Sequence, residues 1–188
     1  MSLATLLKKI SVAAIAATAI TLGIVGSAQA ATLSFDELSG NEGAISNGYG
    51  GLNWENFYYI NSADYWPGAG YKTGTVSGIN TAYNGWGTSA TISISSGTFD
   101  FNSAYLTGVW NNGLIIKLDG LLGGVQKYSQ TVVVNTNAPI KFDFNFLEIN
   151  NLQITSSGGE YADTLGWGTH FALDEFSFNL PETGSACQ

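Results

Sequence analysis

The sequence predicts an all-β protein, built as a two-sheet antiparallel β-sandwich of the jelly-roll type. Aromatic residues make up 13% of the 188 residues, glycine occurs 24 times, and charged residues account for only 11%. Aromatic and β-branched residues favour strands, whereas glycine favours the tight turns between them. Around ten short segments of alternating apolar and polar residues are separated by turn signals, which is typical of sandwiches. We expect one such domain over residues 31–180.

Alternation of apolar residues places the strands in chain order. The clearest case is residues 140–146, where Ile140, Phe142, Phe144 and Phe146 are predicted to face the core. The predicted strands cover residues 33–38, 75–79, 82–86, 90–95, 98–101, 105–110, 114–122, 125–134, 140–146, 152–154 and 168–180. Residues 52–60 are predicted to form one aromatic strand or a strand followed by a loop.

Glycine and asparagine mark the turns between these strands. Asn112-Gly113 is the strongest hairpin signal in the chain, and Asn102-Ser103 and Gly123-Gly124 predict two further turns. Two longer loops are predicted over residues 61–73 and 156–168. Loops of that length in a compact domain are usually functional or mobile, so they are places to search for a site.

The first thirty residues are predicted to be a secretory signal peptide that is not part of the domain. Two lysines open it, residues 10–25 are apolar, and Ala28-Gln29-Ala30 has the small residues of a cleavage site. Cleavage before Ala31 would release a chain with no further apolar span of membrane length. We therefore expect a secreted protein, extracellular or at the cell surface.

The charge of the mature chain excludes several classes of partner. The full sequence has a net charge of −8, and without the two lysines of the signal peptide four basic residues face 14 acidic ones, a net charge of −10. A surface of this sign repels phosphate backbones and anionic lipids. We expect no nucleic-acid partner and, after signal cleavage, no membrane partner.

Two acidic pairs lie where the alternation of apolar residues changes phase. One is Asp174-Glu175 in the last predicted strand, and the other is Asp36-Glu37 in the first. Each change of phase predicts a β-bulge, because strand side chains have a period of two. The ends of a domain are often close together, so Asp36, Glu37, Asp174 and Glu175 are predicted to share a Ca²⁺ ion. The alternative is that each pair faces solvent on an edge strand, where charge discourages aggregation.

Aromatic residues in glycine-rich segments are the strongest indication of a binding site. Flat rings can stack on the apolar faces of sugars, and neighbouring Asn and Asp side chains can bind hydroxyl groups. The alternative is that most of these rings pack onto the core. Trp54 and Trp110 are assigned to the core. The candidate ligand-binding residues are Tyr49, Tyr65, Trp66, Tyr71, Trp86 and Trp167.

Other chemistry is less strongly indicated. His170 is the only histidine and is interpreted as a structural residue, and Cys187 is a lone cysteine that cannot form an internal disulfide. A glycosidase would need two carboxylates across a cleft. Glu55, Glu148 and Glu160 are available for that role, but the sequence does not pair them.

Several motifs resemble those of the ectodomains of bacterial PEP-CTERM exported proteins. They lie at residues 35–38, 48–54, 84–87, 99–106 and 168–178. The resemblance implies an exported β-sandwich associated with the cell surface or with extracellular polysaccharide. In that family a Pro-Glu-Pro motif precedes a hydrophobic helix and a basic cluster, whereas only Pro181-Glu182 matches here. We therefore expect free secretion.

The C-terminal residues 181–188 are predicted to form a flexible tail. Residues 180–184 also spell the recognition sequence of sortases, Leu-Pro-Glu-Thr-Gly, without the apolar segment and basic tail that such substrates carry. We interpret the motif as a strand end followed by a proline stop. This tail is not expected to anchor the protein.

These observations favour a secreted, non-catalytic module that binds or organises extracellular polysaccharide. One alternative is a structural surface or matrix protein that associates with itself. The other is a carbohydrate-active hydrolase that uses the acidic residues named above.

Overall fold

The computed structural model describes residues 30–180, apart from the side chain of Asp64. The predicted signal peptide, up to residue 29, and the predicted tail with Cys187 lie outside this range. No helix in the described range is long and apolar enough to cross a membrane.

Strands dominate the described part of the chain. A single helical turn, α1, spans Gly70–Thr73, and 3-10 turns lie at Tyr49–Gly51, Ser62–Asp64 and Gly85–Gly87. The strands are β1 Ala31–Leu33, β2 Glu42–Ala44, β3 Asn53–Glu55, β4 Phe57–Asn61, β5 Asn80–Asn84, β6 Ala90–Ser93, β7 Phe99–Gly108, β8 Asn111–Asn112, β9 Leu114–Leu122, β10 Val125–Val134, β11 Ile140–Ile149, β12 Asn151–Ser157, β13 Glu160–Tyr161 and β14 Phe171–Asn179.

Two antiparallel sheets pack face to face, which confirms the predicted β-sandwich. The seven-stranded sheet has the order β11-β7-β14-β5-β4-β2, with β1 also paired to β14. The five-stranded sheet has the order β10-β9-β12-β6-β3, and β8 and β13 form a separate short pair. The chain crosses between the two sheets at most of its connections, as expected for a jelly roll.

The hydrophobic core lies between the sheets and consists largely of phenylalanine rings. Phe101 stacks on Phe144 and Phe176, with ring centroids 4.7 and 4.9 Å apart. Trp54 of the five-stranded sheet meets Phe57 and Phe176 of the other sheet edge-on. Because burial of one such side chain contributes about 1.5–3 kcal/mol, this layer holds the two sheets together.

The last strand, β14, lies at the centre of the seven-stranded sheet. It pairs with β7 along one side, and along the other side it pairs first with β5 and then with β1. The predicted proximity of the first and last strands is therefore confirmed. The register shifts after Asp174, and Glu175 has a positive φ of 50°. This bulge, also predicted, allows both Leu173 and Phe176 to face the core.

The prediction of a strand over residues 75–79 is wrong. This segment is a loop whose backbone N–H groups donate to carboxylates and not to a neighbouring strand. Val76 N–H donates to Asp174 Oδ2 at 2.7 Å, and Ile79 N–H donates to Asp36 Oδ1 at 2.8 Å. These carboxylates take the place of the neighbouring strand that would otherwise accept the N–H groups.

Two further predictions about strands are wrong. No turn occurs at Asn102-Ser103, because Ser103 pairs with Asp143 of β11 and Ser177 of β14, and two neighbouring strands outweigh the local turn preference. Ile140, predicted to face the core, is exposed at the start of β11, which is the edge of its sheet.

Two predicted strands are shorter or divided in the structure. Residues 52–60 form β3 in one sheet and β4 in the other, separated by Asn56 in the left-handed conformation with φ 57°. In the segment 33–38 the strand ends at Leu33, since Phe35 also has a positive φ, 65°, and begins a turn. The left-handed backbone at Asn56 is not encoded in the apolar pattern. The change of phase at Asp36-Glu37 was visible in the sequence, but the structure has a turn there in place of the predicted bulge.

Candidate functional site

The outer face of the seven-stranded sheet, directed away from the five-stranded sheet, carries a second hydrophobic cluster. Alternation along β4 sends Phe57 and Tyr59 into the core and Tyr58 and Ile60 outward. On β5, Tyr83 likewise points outward. The buried members of this outer cluster are Ile60, Ala69, Tyr71, Tyr83, Val109, Trp110 and Ala172.

A cavity of about 680 Å³ lies over the outer cluster. Its floor is a set of packed rings, in which Tyr71 meets Tyr83 and Trp110 edge-on with centroids 5.0 and 5.4 Å apart. Tyr58 stacks on Tyr83 at 5.7 Å. Such contacts fix the orientation of each ring, so the floor is preformed. The seven Tyr and Trp side chains that line the cavity are Tyr58, Tyr65, Tyr71, Tyr83, Trp86, Trp110 and Trp167.

Two tryptophans at the rim of the cavity are open to solvent. Trp86 is 82% exposed and Trp167 is 85% exposed. Tryptophan is one of the most buried residue types on average, and leaving two such rings in water forgoes the free energy of their burial. Exposed aromatic rings beside a cavity are typical of a surface that binds a partner with an apolar face.

The backbone at Trp86 is held in an unfavourable conformation. Trp86 has a φ of 59°, in the left-handed region, which costs a non-glycine residue on the order of 1 kcal/mol. The side chain of buried Asn84 stabilises this turn by donating to the Thr88 carbonyl at 2.9 Å, while its oxygen accepts from Phe171 N–H at 2.8 Å. Gly85 is required here, because a Cβ would lie 2.4 Å from Asn56 Oδ1.

The loops that carry the two rim tryptophans are joined to each other. Thr169 Oγ1, two residues after Trp167, donates to the carbonyl of Gly87, one residue after Trp86, at 2.8 Å. Ser156 in turn donates its hydroxyl to the Thr169 carbonyl. These hydrogen bonds fix the spacing of the two loops, so the rim of the cavity is preformed like its floor.

The polar groups of the cavity are neutral hydroxyls, the indole N–H groups of its three tryptophans, one imidazole and, among the described side chains, one carboxylate. The Tyr83 hydroxyl donates to Glu42 Oε1, and burial followed by this hydrogen bond raises the pKa of Tyr83 above its usual range. Burial also raises the pKa of Tyr71 and of Tyr65, so all three phenols are protonated at neutral pH. Burial lowers the pKa of His170, which keeps its ring neutral.

Four of the six predicted ligand-binding residues line this cavity: Tyr65, Tyr71, Trp86 and Trp167. The other two lie elsewhere. Tyr49 packs against Phe35 beside the core, and its hydroxyl donates to Glu37 at 2.6 Å. Trp66 is 57% exposed but does not line the cavity.

Sequence reasoning missed several residues of the cavity, notably Tyr58, Tyr83 and Glu42. Trp110, assigned to the core, is buried in the outer cluster, and His170, interpreted as structural, lines the cavity. The sequence Phe57-Tyr58-Tyr59-Ile60 could have identified Tyr58. A strand in which every residue is apolar or aromatic has an apolar side chain on both faces of the sheet, so its outer face must also be apolar. No comparable signal marked Glu42.

The acidic residues predicted to bind Ca²⁺ surround the loop at residues 75–79. Asp36 Oδ1 accepts from the backbone N–H groups of Ile79 and Asn80 at 2.8 and 3.0 Å. The two oxygens of buried Asp174 accept backbone N–H groups on either side, including that of Glu175 at 2.7 Å. Asp36 and Asp174 therefore both stabilise this loop, and their oxygens are directed at its backbone N–H groups.

Calcium binding stays a prediction. The Glu175 side chain accepts from the Ser77 hydroxyl, and Glu37 accepts from Tyr49. Within residues 30–180 no three His, Cys, Asp or Glu side chains are grouped as metal ligands. A melting temperature that falls on addition of EDTA and recovers with excess Ca²⁺ would support the predicted ion.

The carboxylates considered for hydrolysis lie away from the cavity. Glu55 is exposed on β3 of the opposite sheet, Glu148 lies near the end of β11 beside Lys127, and Glu160 is exposed on β13. Among the side chains that the structure describes, Glu42 is the one carboxylate that lines the cavity.

Among known proteins, similarity to this chain is found in solved structures and not in sequence families. No protein-family model and no curated protein matches the sequence. One similar structure is TmCBM61 in complex with β-1,4-galactotriose, at 14% identity and a TM-score of 0.37, covering 74% of this chain and 98% of the other. Another is reported under CBM4 structure and function, at 16% identity and a TM-score of 0.32, covering 65% of this chain and 70% of the other.

Proposed function

We propose that the protein is a secreted, non-catalytic module that binds extracellular polysaccharide in the aromatic cavity on the outer face of its seven-stranded sheet. The observation that carries the proposal is the pair of solvent-exposed tryptophans, Trp86 and Trp167, at the rim of a cavity lined by five further Tyr and Trp rings.

The rings suit a sugar better than a purely apolar ligand. A pyranose presents C–H groups on its faces and hydroxyl groups around its edge, so a ring stacked on one face leaves the hydroxyls free to hydrogen-bond. Tyr65, Tyr71 and Tyr83 place neutral phenol groups beside such rings, and Glu42 adds a carboxylate. A cavity of this size is also within the range of small-molecule sites, which fits a few sugar units of a longer chain.

A binding role is favoured over catalysis by the number of carboxylates. General acid–base cleavage of a glycosidic bond needs two of them, and Glu42 alone lines the cavity among the described residues. Its exposure to solvent and its hydrogen bond with Tyr83 fit the role of a hydroxyl acceptor. Export is proposed from the predicted signal peptide and from the resemblance to PEP-CTERM ectodomains.

Self-association is a second candidate for one specific reason. β10 forms the edge of the five-stranded sheet and exposes Val125 and Val133. An exposed, β-branched edge strand offers unpaired backbone groups to a second copy. Sedimentation of the protein as a strict monomer over a wide concentration range would remove this candidate.

Glycan-array binding and polysaccharide pull-down test the main proposal. The wild-type protein is expected to be retained by at least one polysaccharide, and the double variant Trp86→Ala/Trp167→Ala is expected to lose that retention. Trp66→Ala is the matched control, because it removes an exposed tryptophan that does not line the cavity. Absence of retention on every glycan, or equal loss in the control, would refute the proposal.

A further inference from the structure

We propose that the glycan bound in the cavity is uncharged, and that Glu42 is the residue that discriminates against sugars carrying a carboxylate or sulfate group. This inference rests on the proposed function and specifies the class of its ligand. It follows from the charges of the cavity, from the partners of the basic residues and from the hydrogen-bonding capacity of the Glu42–Tyr83 pair.

The cavity has a negative charge and no positive one. Glu42 is its one carboxylate among the described side chains, no lysine lines it, and the sequence has no arginine. The imidazole of His170 is kept neutral by burial, which lowers its pKa. An anionic sugar would therefore meet a like charge without a compensating cation, and like charges in an interface reduce affinity.

No lysine of the described chain lines the cavity, and each lysine is engaged by an oxygen atom of a residue that does not line it either. Each ammonium group lies within 4 Å of a carbonyl or carboxylate oxygen on another element or on its own strand. Lysine is the usual point charge that binds carboxylate or sulfate groups when arginine is absent. The nearest partners are the Ala63 carbonyl for Lys72 at 2.9 Å, Asp119 for Lys117 at 2.6 Å, the Leu147 carbonyl for Lys127 at 3.1 Å and Asp143 for Lys141 at 3.8 Å.

The hydrogen-bonding capacity of Glu42 and Tyr83 points to the same class of ligand. The Tyr83 hydroxyl already donates its hydrogen bond to Glu42 Oε1, so this pair offers mainly acceptor positions to a ligand: the phenol oxygen and the remaining lone pairs of the carboxylate. A sugar hydroxyl can donate to such acceptors. A carboxylate or sulfate group has only acceptors at neutral pH. Placed against Glu42 and Tyr83, it would face other acceptors with no donor between them.

Glu42 is placed where a charge can act on the ligand. It begins β2 at the edge of the seven-stranded sheet, is itself exposed, and lines the cavity together with Gly43. Its contact with Tyr83 fixes the carboxylate against the aromatic floor. Glu42 is therefore a specificity-determining residue that acts by accepting hydroxyl groups and by repelling anions.

Affinity electrophoresis of the purified protein in gels that contain one polysaccharide each tests the inference. The uncharged set is a galactan, a mannan, a xylan and a β-glucan, and the anionic set is alginate and chondroitin sulfate. Wild type is expected to be retarded by at least one uncharged polysaccharide and, at equal concentration, more weakly by both anionic ones, at low and at high salt. The inference is overturned if only an anionic polysaccharide retards the protein, or if an anionic polysaccharide retards it more strongly than any uncharged one. Either result leaves the proposed function standing. Absence of retardation in every gel removes the proposed function itself.

The variant Glu42→Gln tests the role of the residue. Gln keeps an oxygen that can accept the Tyr83 hydroxyl but removes the charge, so the affinity for anionic relative to uncharged polysaccharide is expected to rise roughly fivefold. Glu55→Gln is the control, because it removes the same charge from the opposite sheet. An unchanged ratio in Glu42→Gln, or an equal change in Glu55→Gln, would overturn the assignment of Glu42.

Discussion

The two faces of the seven-stranded sheet are built from the same strands but carry different aromatic residues. The inner face packs phenylalanines such as Phe57, Phe101 and Phe176 against the five-stranded sheet. The outer face carries Tyr58, Tyr83 and other tyrosines and tryptophans beneath a cavity. Both faces are apolar, so a strand such as β4 is hydrophobic at nearly every position.

The difference lies in the polar atom that each outer ring carries. A phenylalanine can be enclosed on all sides without an unmet hydrogen bond, whereas tyrosine and tryptophan need a partner for their O–H or N–H group. Rings with such a group suit a surface that faces a ligand or water on one side. The inner face therefore supplies stability, and the outer face is proposed to supply recognition; the following predictions test this difference.

The largest expected effect is on the inner face. Phe101→Ala should lower the free energy of unfolding by about 3–5 kcal/mol, because it opens a cavity between the stacked rings of Phe144 and Phe176. Equilibrium denaturation in urea measures the change. Trp86→Ala is the control on the outer face, and a similar loss of stability there would break the comparison.

The next effect is a pH dependence of the free energy of unfolding that arises from Asp174. This carboxyl group is fully buried and lies on the same strand as Ala172 of the outer cluster, two positions later. Burial raises its pKa from 3.8 to about 7, partly offset by the N–H groups of Val76, Ser77 and Glu175, while the Glu175 carboxylate raises it further. The folded protein therefore holds this proton more tightly than the unfolded chain. The resulting stabilisation is complete below pH 3.8 and is lost as the pH rises through about 7.

Urea denaturation across this pH range measures that loss. One such group changes the free energy of unfolding by at most about 1.4 kcal/mol per pH unit. Asp174→Asn cannot titrate, so its stability should lack this slope even if the variant is less stable at every pH. Equal slopes in the two proteins would assign the pH dependence to other groups.

A smaller effect is expected from each rim tryptophan. Trp86→Ala or Trp167→Ala should weaken polysaccharide binding by about 2 kcal/mol, roughly thirtyfold, because an exposed ring beside a binding cavity contributes mainly to the complex. Isothermal titration calorimetry with the polysaccharide that retains the protein in the pull-down measures the affinity. Urea denaturation should show little change in the free energy of unfolding. Loss of stability without loss of affinity would assign these rings to folding.

The smallest effect is expected from Tyr83→Phe, which keeps the ring but removes the hydroxyl that donates to Glu42. The loss of one hydrogen-bonding group should weaken binding by about 1 kcal/mol, or roughly fivefold, with the outer cluster still packed. Titration calorimetry measures it. Tyr49→Phe is the control, since that hydroxyl bonds Glu37 outside the cavity. An equal loss of affinity in both variants would exclude a local role for the Tyr83–Glu42 pair.

Much of the fold could be predicted because its signals are local. The strands β9 and β10 begin and end at the residues expected from their alternation and from the turns at Asn112-Gly113 and Gly123-Gly124. The bulge at Asp174-Glu175 was visible as a change of phase. The loop at residues 75–79 was not predictable, because its conformation depends on carboxylates from Asp36 and Asp174, which are distant in the chain.

The amino-acid sequence by itself determined the all-β class, most strand positions, the acidic charge and the presence of aromatic residues suited to a sugar. Only the tertiary structure decided which of those rings lie together. The period-two alternation along a strand predicts which side chains point away from the core. The order of the strands in the sheet decides which other side chains they contact there. Tyr83 and Trp110 therefore join one outer cluster, in which both rings contact Tyr71, while Tyr49, equally suited by type, lies beside the core.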